Sequence, residues 1–425
     1  MGSKTKAIIA RDKKIISSSY TREFEDFAIE KAKDCFVWDA DGKKYLDFSA
    51  AVSVANAGHT NPFVVKAIQK QLKRAIHIGF ADFYSSLPVE FCEKLSKELP
   101  SHLNNFFLSN SGTESIEAAF KAARWHSKKL YTVAFSPCFH GRTMGSLSLT
   151  NARPIQRERF GPFLPVKHVP YAYTYRFNGS EQDCVNNSLN ELEKVFKETN
   201  DNVASVFLEP ISGEPGYIVP PTDWVKGIRK LCDEHNALLV ADEVQSGCNR
   251  TGKFLAIENF EVSPDIVCLS KSIANGIPFG VTIADKKTFD WPAGAHANTF
   301  GGNLIASAAG IAVLDFMKKK KLALNALKRG KQLMKGLEEL QEKFELIGDV
   351  RGKGLMIGAE LVENRKTKTP AVKQREKILQ NCLRNGLILL PAGMSTIRFC
   401  PPLTISSAQI DKGLNILESS FKSAR

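Results

Sequence analysis

Two short apolar runs, each ending near a charged residue, constrain this chain more than any other feature. Leu238 to Ala241 drives straight into Asp242, and Ile266 to Leu269 is followed by Ser270 and Lys271. Each run is too short for a helix and is flanked by polar breaks. It reads as a strand buried on both faces, the pattern of a parallel sheet. In open α/β sheets, ligands bind beyond the carboxyl ends of the strands. One carboxylate and one amine are therefore expected on the same rim.

The rest of the chain fits that frame. Phe106–Leu108, Tyr131–Phe135, Ala204–Leu208 and Val281–Ala284 are further strand candidates, and they alternate with helical patterns starting near Thr113, Thr222 and Asn303. This predicts a large α/β domain with a mainly parallel sheet over residues 61–305. Residues 1–60 read as an arm plus a small hairpin, in which Phe36-Val37-Trp38 and Lys44-Tyr45-Leu46 flank the turn signal Asp39-Ala40-Asp41-Gly42. Asn61-Pro62 opens a helix whose apolar positions are Val64, Val65, Ile68, Leu72 and Ile76. A long helical region over 303–343 breaks near Lys320. Strands at Leu355–Ala359, Leu387–Leu390 and Thr396–Phe399 follow, with helices at 371–384 and Ser407–Phe421. Residues 306–425 thus form a linking helix and a smaller α+β domain.

Composition excludes some classes. No apolar run reaches the roughly 18 residues of a membrane span, and the N-terminal apolar core is too short for a secretory signal. Nine cysteines are scattered without a Cys-x-x-Cys pair. That argues for reduced thiols in the cytoplasm and against a disulfide framework or a metal site. The net charge of +13 raises nucleic-acid binding. However, the basic residues are dispersed, and the densest run, Lys318 to Lys321, sits at a helix end where lysines suit the dipole and solvent. No aromatic residues interleave with it, so neither a nucleic-acid nor a membrane partner is expected.

Four loops at strand ends carry the remaining chemistry. Asn110-Ser111-Gly112-Thr113-Glu114 joins a strand to an alanine-rich helix, offering either a helix cap or an anion cradle of free amides. It lacks the lysine of a nucleotide-hydrolysing loop, and no dinucleotide fingerprint is present. Phe139-His140-Gly141-Arg142-Thr143 supplies an aromatic that could stack on a ring and an arginine that could grip a carboxylate. Glu209-Pro210-Ile211-Ser212-Gly213-Glu214 places two carboxylates in one loop. Ile397-Arg398-Phe399 sets an arginine in an apolar context, with Glu209 or Glu214 as its partner. An acid that keeps a pyridinium nitrogen protonated, a lysine that forms a Schiff base and an anion cradle are what pyridoxal 5'-phosphate requires.

In order and spacing these motifs resemble the class III aminotransferases, fold-type I pyridoxal phosphate enzymes, and most of all their 4-aminobutyrate and ornithine branch. The likeness runs from Tyr45-Leu46-Asp47-Phe48 to Pro401-Pro402-Leu403-Thr404. It implies a seven-stranded, mainly parallel sheet and a small domain built from both termini. It also implies roles. Lys271 would bond the cofactor, Asp242 would meet its ring nitrogen and Gln245 its phenolic oxygen. Val244 and Phe139, with His140 beside it, would enclose the ring. Ser111, Gly112 and Thr113 would hold the phosphate. Thr299 would reach the phosphate of a neighbouring subunit, making a homodimer with composite sites, alone or paired into a tetramer. Arg142 would take the distal carboxylate of substrate and Arg398 the α-carboxylate of 2-oxoglutarate. Glu214, with Glu209 as a second candidate, would neutralise Arg398 between times. Val52 and Tyr84 would line the substrate pocket. The activity implied is transfer of an amino group from an ω-amino donor, 4-aminobutyrate being favoured, to 2-oxoglutarate. Ornithine or lysine ω-aminotransfer and amino-acid racemisation on the same scaffold are the alternatives.

Overall fold

The structure, a computed structural model, describes residues 2–424. After a helix at Ser3–Ile15 come three strands, β1 (Ile29–Lys33), β2 (Phe36–Asp39) and β3 (Lys44–Asp47). The large sheet follows, built from β4 (Asn105–Ser109), β5 (Tyr131–Ser136), β6 (Val166–Pro170), β7 (Val203–Leu208), β8 (Leu238–Asp242), β9 (Ile266–Leu269) and β10 (Gly280–Ala284). Its order is β4-β10-β9-β8-β7-β5-β6. β10 runs against both its neighbours, and the pairings from β9 across to β6 are parallel.

The apolar runs are continuous because both faces of the sheet are covered. Successive residues of a strand point to opposite faces. Phe207, Val240 and Cys268 pack under the helix Gly112–Ser127, with Ile116, Ala119, Phe120 and Ala123. Val206, Leu239 and Val267 face the other way, in the core that includes Leu192, Phe196, Trp224 and Ile228 from the helices Glu181–Glu198 and Thr222–Glu234. Each such large apolar side chain contributes about 1.5–3 kcal/mol by leaving water. In β8 and β9 the one charged residue, Asp242, stands at the strand end, and the polar side chains inside β7 and β10 are the small hydroxyls Ser205 and Thr282.

Both chain ends build the small domain. β11 (Ile347–Lys353), β12 (Met356–Leu361), β14 (Leu390–Ala392) and β15 (Thr396–Phe399) form a sheet in the order β11-β12-β15-β14. Between them, β13 (Leu387–Ile388) pairs in parallel with β3, so the single expected strand Leu387–Leu390 splits at Leu389 between two sheets. The linking helix breaks as expected, into Leu304–Lys319 and Leu322–Lys343, with Lys321 in the left-handed region at φ 51°.

Several elements differ from expectation. β6 is an edge strand of alternating character, Val-Lys-His-Val-Pro, and lacks the continuous apolar run of its buried neighbours. The helix opened by Asn61 stops at Leu72. Leu72 and Ile76 are exposed, so they do not extend its buried face. No helix among the described residues is long and apolar enough to cross a membrane.

Candidate active site

Asp242 is the last residue of β8, and Lys271 follows the end of the neighbouring β9 by two residues. Their side chains border one cavity of about 300 Å³. Asp242 is buried, and its two oxygens are already engaged. His140 Nδ1 donates to Oδ2 at 2.7 Å, and the Val244 amide donates to Oδ1 at 3.1 Å. His140 is fully buried and Nδ1 faces an acceptor, so that nitrogen carries the proton. Lys271 adopts φ +44°, a left-handed conformation that a lysine holds only when its surroundings enforce it. Burial lowers its pKa below the usual ammonium value, while the carboxylates of Asp242, Glu214 and Glu209 oppose that shift. A lysine in this position is the base and nucleophile that burial can prepare.

The anion cradle and the helix cap are the same structure. Ser111 is the N-cap of Gly112–Ser127, and its Oγ accepts the Glu114 amide at 3.3 Å. The amides of Gly112 and Thr113 open onto the cavity without an acceptor among the described residues. A helix of 16 residues adds its dipole at that point. Thr113 Oγ1 is fixed by Thr143 Oγ1 at 2.7 Å and by Ser146 Oγ.

Pyridoxal phosphate fits this cavity on three observations. The free amides of Gly112 and Thr113 and the Asp242 carboxylate line the same cavity. Val244 and Phe139 supply apolar surfaces, and the Phe139 amide is pinned to Glu209 Oε2 at 2.9 Å. Gln245 Oε1 is buried with no hydrogen-bond partner, so a polar group is missing beside it. Gly112, Thr113, Asp242 and Gln245, expected to meet the phosphate, ring nitrogen and phenolic oxygen, thus border one cavity. Ile211 and Ser246 also line the cavity and were not singled out in the sequence. Ile211 lies between the two glutamates and carries no polar group to mark it in the sequence.

The two glutamates separate. Glu214 Oε1 accepts from Arg398 Nη1 at 2.7 Å, and both side chains are largely buried. Burial opposes ionisation of Glu214, yet Arg398 and then Lys271 prevail and its pKa lies below the usual value. Glu209 does not touch Arg398, which corrects that expectation. Its carboxylate instead accepts the amides of Phe139 and Gly213, the latter at 3.0 Å. Burial pushes its pKa up to about 7.

Of the expected residues Arg142 also lines the cavity, whereas Ser111, Glu214, Arg398, Val52, Tyr84 and Thr299 are not among its lining residues. Arg142 lines its mouth but is exposed and without an ion pair, its guanidinium 5.8 Å from the centre of the Phe139 ring. Val52 lies outside the lining, on a left-handed turn of four consecutive non-glycine residues, Ala50 to Ser53, with φ between 44° and 62°. Tyr84 is fully exposed and Thr299 is exposed, so neither reaches the cavity of its own chain. Such strained or exposed positions carry no signal in strand or helix patterns.

The family model for aminotransferase class-III matches residues 17–421. This chain belongs to the class-III aminotransferases. A leucine/methionine racemase of Thermococcus litoralis is 36% identical over 416 residues, 97% of this chain and 94% of the racemase. The 4-aminobutyrate aminotransferase of Escherichia coli is 36% identical over 403 residues, 93% of each chain. Among solved structures, an (S)-enantioselective omega-transaminase from Thermomicrobium roseum matches with a TM-score of 0.93 at 28% identity, over 100% of both chains. The fold-type I architecture expected from the sequence is therefore the architecture of this class-III aminotransferase.

Proposed function

We propose that this class-III aminotransferase moves an amino group from an ω-amino donor, with 4-aminobutyrate favoured, to 2-oxoglutarate. The observation that carries the reading is the Glu214–Arg398 ion pair. A buried arginine left without a partner costs several kcal/mol. A donor such as 4-aminobutyrate has no carboxylate on its amine-bearing carbon, so Glu214 stays on Arg398. 2-Oxoglutarate brings an α-carboxylate that replaces Glu214. One pocket then accepts two substrate shapes, and Arg142 holds the distal carboxylate that both share.

Pyridoxal phosphate, the cofactor of this family, supplies a carbonyl that takes the amino group and a ring that accepts electrons from the broken C–H bond. The chain does the rest. Ser111, Gly112 and Thr113 hold the phosphate. Phe139 and Val244 fix the plane of the ring, and Gln245 meets its phenolic oxygen. Asp242, backed by His140, keeps the ring nitrogen protonated. Lys271 would anchor the cofactor, remove the proton from the amine-bearing carbon and return a proton to the carbon on the far side of the nitrogen. The two substrates react in turn on the same lysine, in ping-pong order. Thr299 is exposed and outside the lining of its own cavity, in keeping with a homodimer whose sites are completed by the partner. Nine unpaired cysteines suit a cytoplasmic setting.

The test is a donor panel of 4-aminobutyrate, ornithine and lysine with 2-oxoglutarate as acceptor, with L-glutamate followed as a half-reaction with the holoenzyme alone, repeated with Glu214→Ala. The variant is expected to favour L-glutamate, because Arg398 stays free, by about tenfold or more in the donor ratio. Unchanged ratios would remove the gate. The similarity to a racemase supports a second reading, racemisation of an amino acid. Enzyme mixed with donor alone separates the two. A transaminase releases one equivalent of carbonyl product per site and stops; a racemase keeps turning over, losing optical activity and releasing none.

A further inference from the structure

The Glu214–Arg398 pair bridges two domains. Arg398 lies on β15 in the small domain, while Glu214 lies on a strap, residues 209–218, that leaves β7 in the large domain. The strap rests directly on the small-domain sheet. The Gly393 amide donates to the Glu214 carbonyl at 2.8 Å, and Arg351 Nη2 on β11 donates to the Gly216 carbonyl at 2.7 Å. There is no slack. A Cβ on Gly216, which sits at φ +133°, would stand 2.8 Å from Thr396 Oγ1 and 3.0 Å from Arg351 Nη2. One on Gly358, the register partner of Arg398, would stand 2.9 Å from the Gly216 carbonyl.

Arg351 is itself held from several sides. Its Nη1 pairs with Asp349 at 2.6 Å and Glu360 at 2.8 Å, and its guanidinium lies 5.0 Å from the centre of the Tyr173 ring. Tyr173 and Arg176 of the large domain also bond Glu360. The fork of the guanidinium is thus divided: one nitrogen serves the buried carboxylates and the other serves the strap. A lysine at this position could keep the charge pairing but has no second nitrogen for Gly216.

We propose that Arg351 is a positioning residue for substrate choice, tying the strap that bears Glu214 to the sheet that bears Arg398. The tie makes both halves of the gate ride with the small domain, so Glu214 meets Arg398 in register whatever the angle between the domains. Exchange of substrates then needs only rotation of the Glu214 side chain, since the strap backbone stays fixed. Arg351 touches neither substrate nor cofactor. The inference rests on the Glu214 gate proposed above.

The two half-reactions test it, because only the ω-amine half requires Glu214 on Arg398. In the holoenzyme, Arg351→Lys is expected to lower kcat/KM for 4-aminobutyrate about tenfold, the effect of losing one charge-assisted hydrogen bond. The values for L-glutamate and for 2-oxoglutarate should stay within about twofold. General loosening of the fold would depress all three alike, and that result overturns the proposal. A variant that melts with the wild type and keeps its donor ratio also overturns it. Should Arg351→Lys not fold, Asp349→Asn loosens the same guanidinium more gently and should move the ratio about threefold in the same direction; an unmoved ratio again refutes the role. Glu214→Ala separates the two levels of argument. If that variant leaves the ratio unchanged, the gate and this inference both fail. If it shifts the ratio and Arg351→Lys does not, only the role of Arg351 fails. In the Glu214→Ala background, Arg351→Lys should add nothing.

Discussion

Replacing Gly112 with alanine tests the cofactor site with a single methyl group. Gly112 is in the first turn of the helix Gly112–Ser127, where alanine is a better helix former than glycine by up to about 1 kcal/mol. The backbone therefore gives no reason for damage. The new Cβ, however, would stand 2.7 Å from Val244 Cγ1, 3.2 Å from Val244 Cγ2 and 3.5 Å from the Ser270 Cβ. Carbon atoms at rest keep about 3.5–4.0 Å apart, so Val244 must yield by roughly 1 Å. Its amide is bonded to Asp242, so the backbone is held and the side chain does the yielding. The direction open to it is the cavity, where the cofactor ring is proposed to lie. Overpacking of this kind costs about 1–3 kcal/mol. In the cofactor-free protein the cavity absorbs it, so the melting temperature should hold or rise slightly. When pyridoxal phosphate binds, the cost returns, and affinity should fall about 5- to 150-fold. The assay is titration of resolved apoenzyme with pyridoxal phosphate, followed by quenching of protein fluorescence, beside a melting curve without cofactor. Val244→Ala in the same background should restore most of the affinity, since it removes the clashing methyls. Wild-type affinity in a folded Gly112→Ala protein would refute the placement of Val244 against the ring. So would a large loss of apoenzyme stability with affinity unchanged.

The remaining expectations are briefer. Lys271→Ala should remove the visible absorbance of the covalently held cofactor and slow transamination by at least about a thousandfold, as loss of anchor and base together requires; turnover at the wild-type rate would end the assignment. Glu243 is wholly buried, its carboxylate accepting the Ile257 amide at 2.8 Å and the Ser246 hydroxyl at 2.6 Å, and burial pushes its pKa up to about 7. Below the unfolded-state value of 4.5 the group is protonated in both states and causes no loss. Between there and about 7 the unfolded chain releases the proton while the folded chain keeps it, so stability falls, and above 7 the loss is constant. Glu243→Gln should therefore remove a decline of up to about 3 kcal/mol across that window, read from denaturant unfolding at pH 4.5 and 8 with the wild type alongside; parallel pH curves would contradict it.

How far the sequence could be read follows from the physics of each part. The buried strands are legible because coverage on both faces excludes charged side chains from their interiors and admits only small hydroxyls such as Ser205 and Thr282: β7, β8, β9 and β10 stand where the apolar runs lie. The edge strand β6 was hidden, since an edge tolerates Lys167 and His168. The helix Glu181–Glu198 was missed although Ser180 and Asp183 form a capping box, because its long polar face hides a stripe of Val185, Leu192 and Phe196. Asp242 and Lys271 were legible because a charge at the end of a buried run is costly unless used. The choice between Glu209 and Glu214 as partner of Arg398 was not. Both occupy one loop, and only the folded strap turns Glu214 onto β15 while Glu209 is drawn back to the amides of Phe139 and Gly213. Arg351 was invisible for the same reason, since nothing local to β11 says that its second nitrogen will meet Gly216.

The sign of the gate deserves a physical reason of its own. On the proposed function Lys271 acts as a base in both half-reactions, and its proton affinity depends on the charges around it: burial lowers it, while Asp242, Glu214 and Glu209 raise it and Arg398 lowers it. Suppose the partner of Arg398 were a neutral side chain. Arrival of 2-oxoglutarate would then add one negative charge beside Lys271, and the lysine would titrate differently with the two substrates. On the proposed gate, the α-carboxylate of 2-oxoglutarate replaces the Glu214 carboxylate on Arg398 as Glu214 swings out of reach of Lys271, so Arg398 is neutralised by one negative charge in either case. The field at Lys271 is then nearly the same for both substrates, so one pH suits both halves of the cycle. Glu214→Gln distinguishes this from a purely steric gate. It keeps the shape and a hydrogen bond to Arg398 but removes the charge, so the pH profiles of the 4-aminobutyrate and 2-oxoglutarate half-reactions should move apart. Profiles that remain superimposed would show that the shape of Glu214, and not its charge, is what the pocket uses.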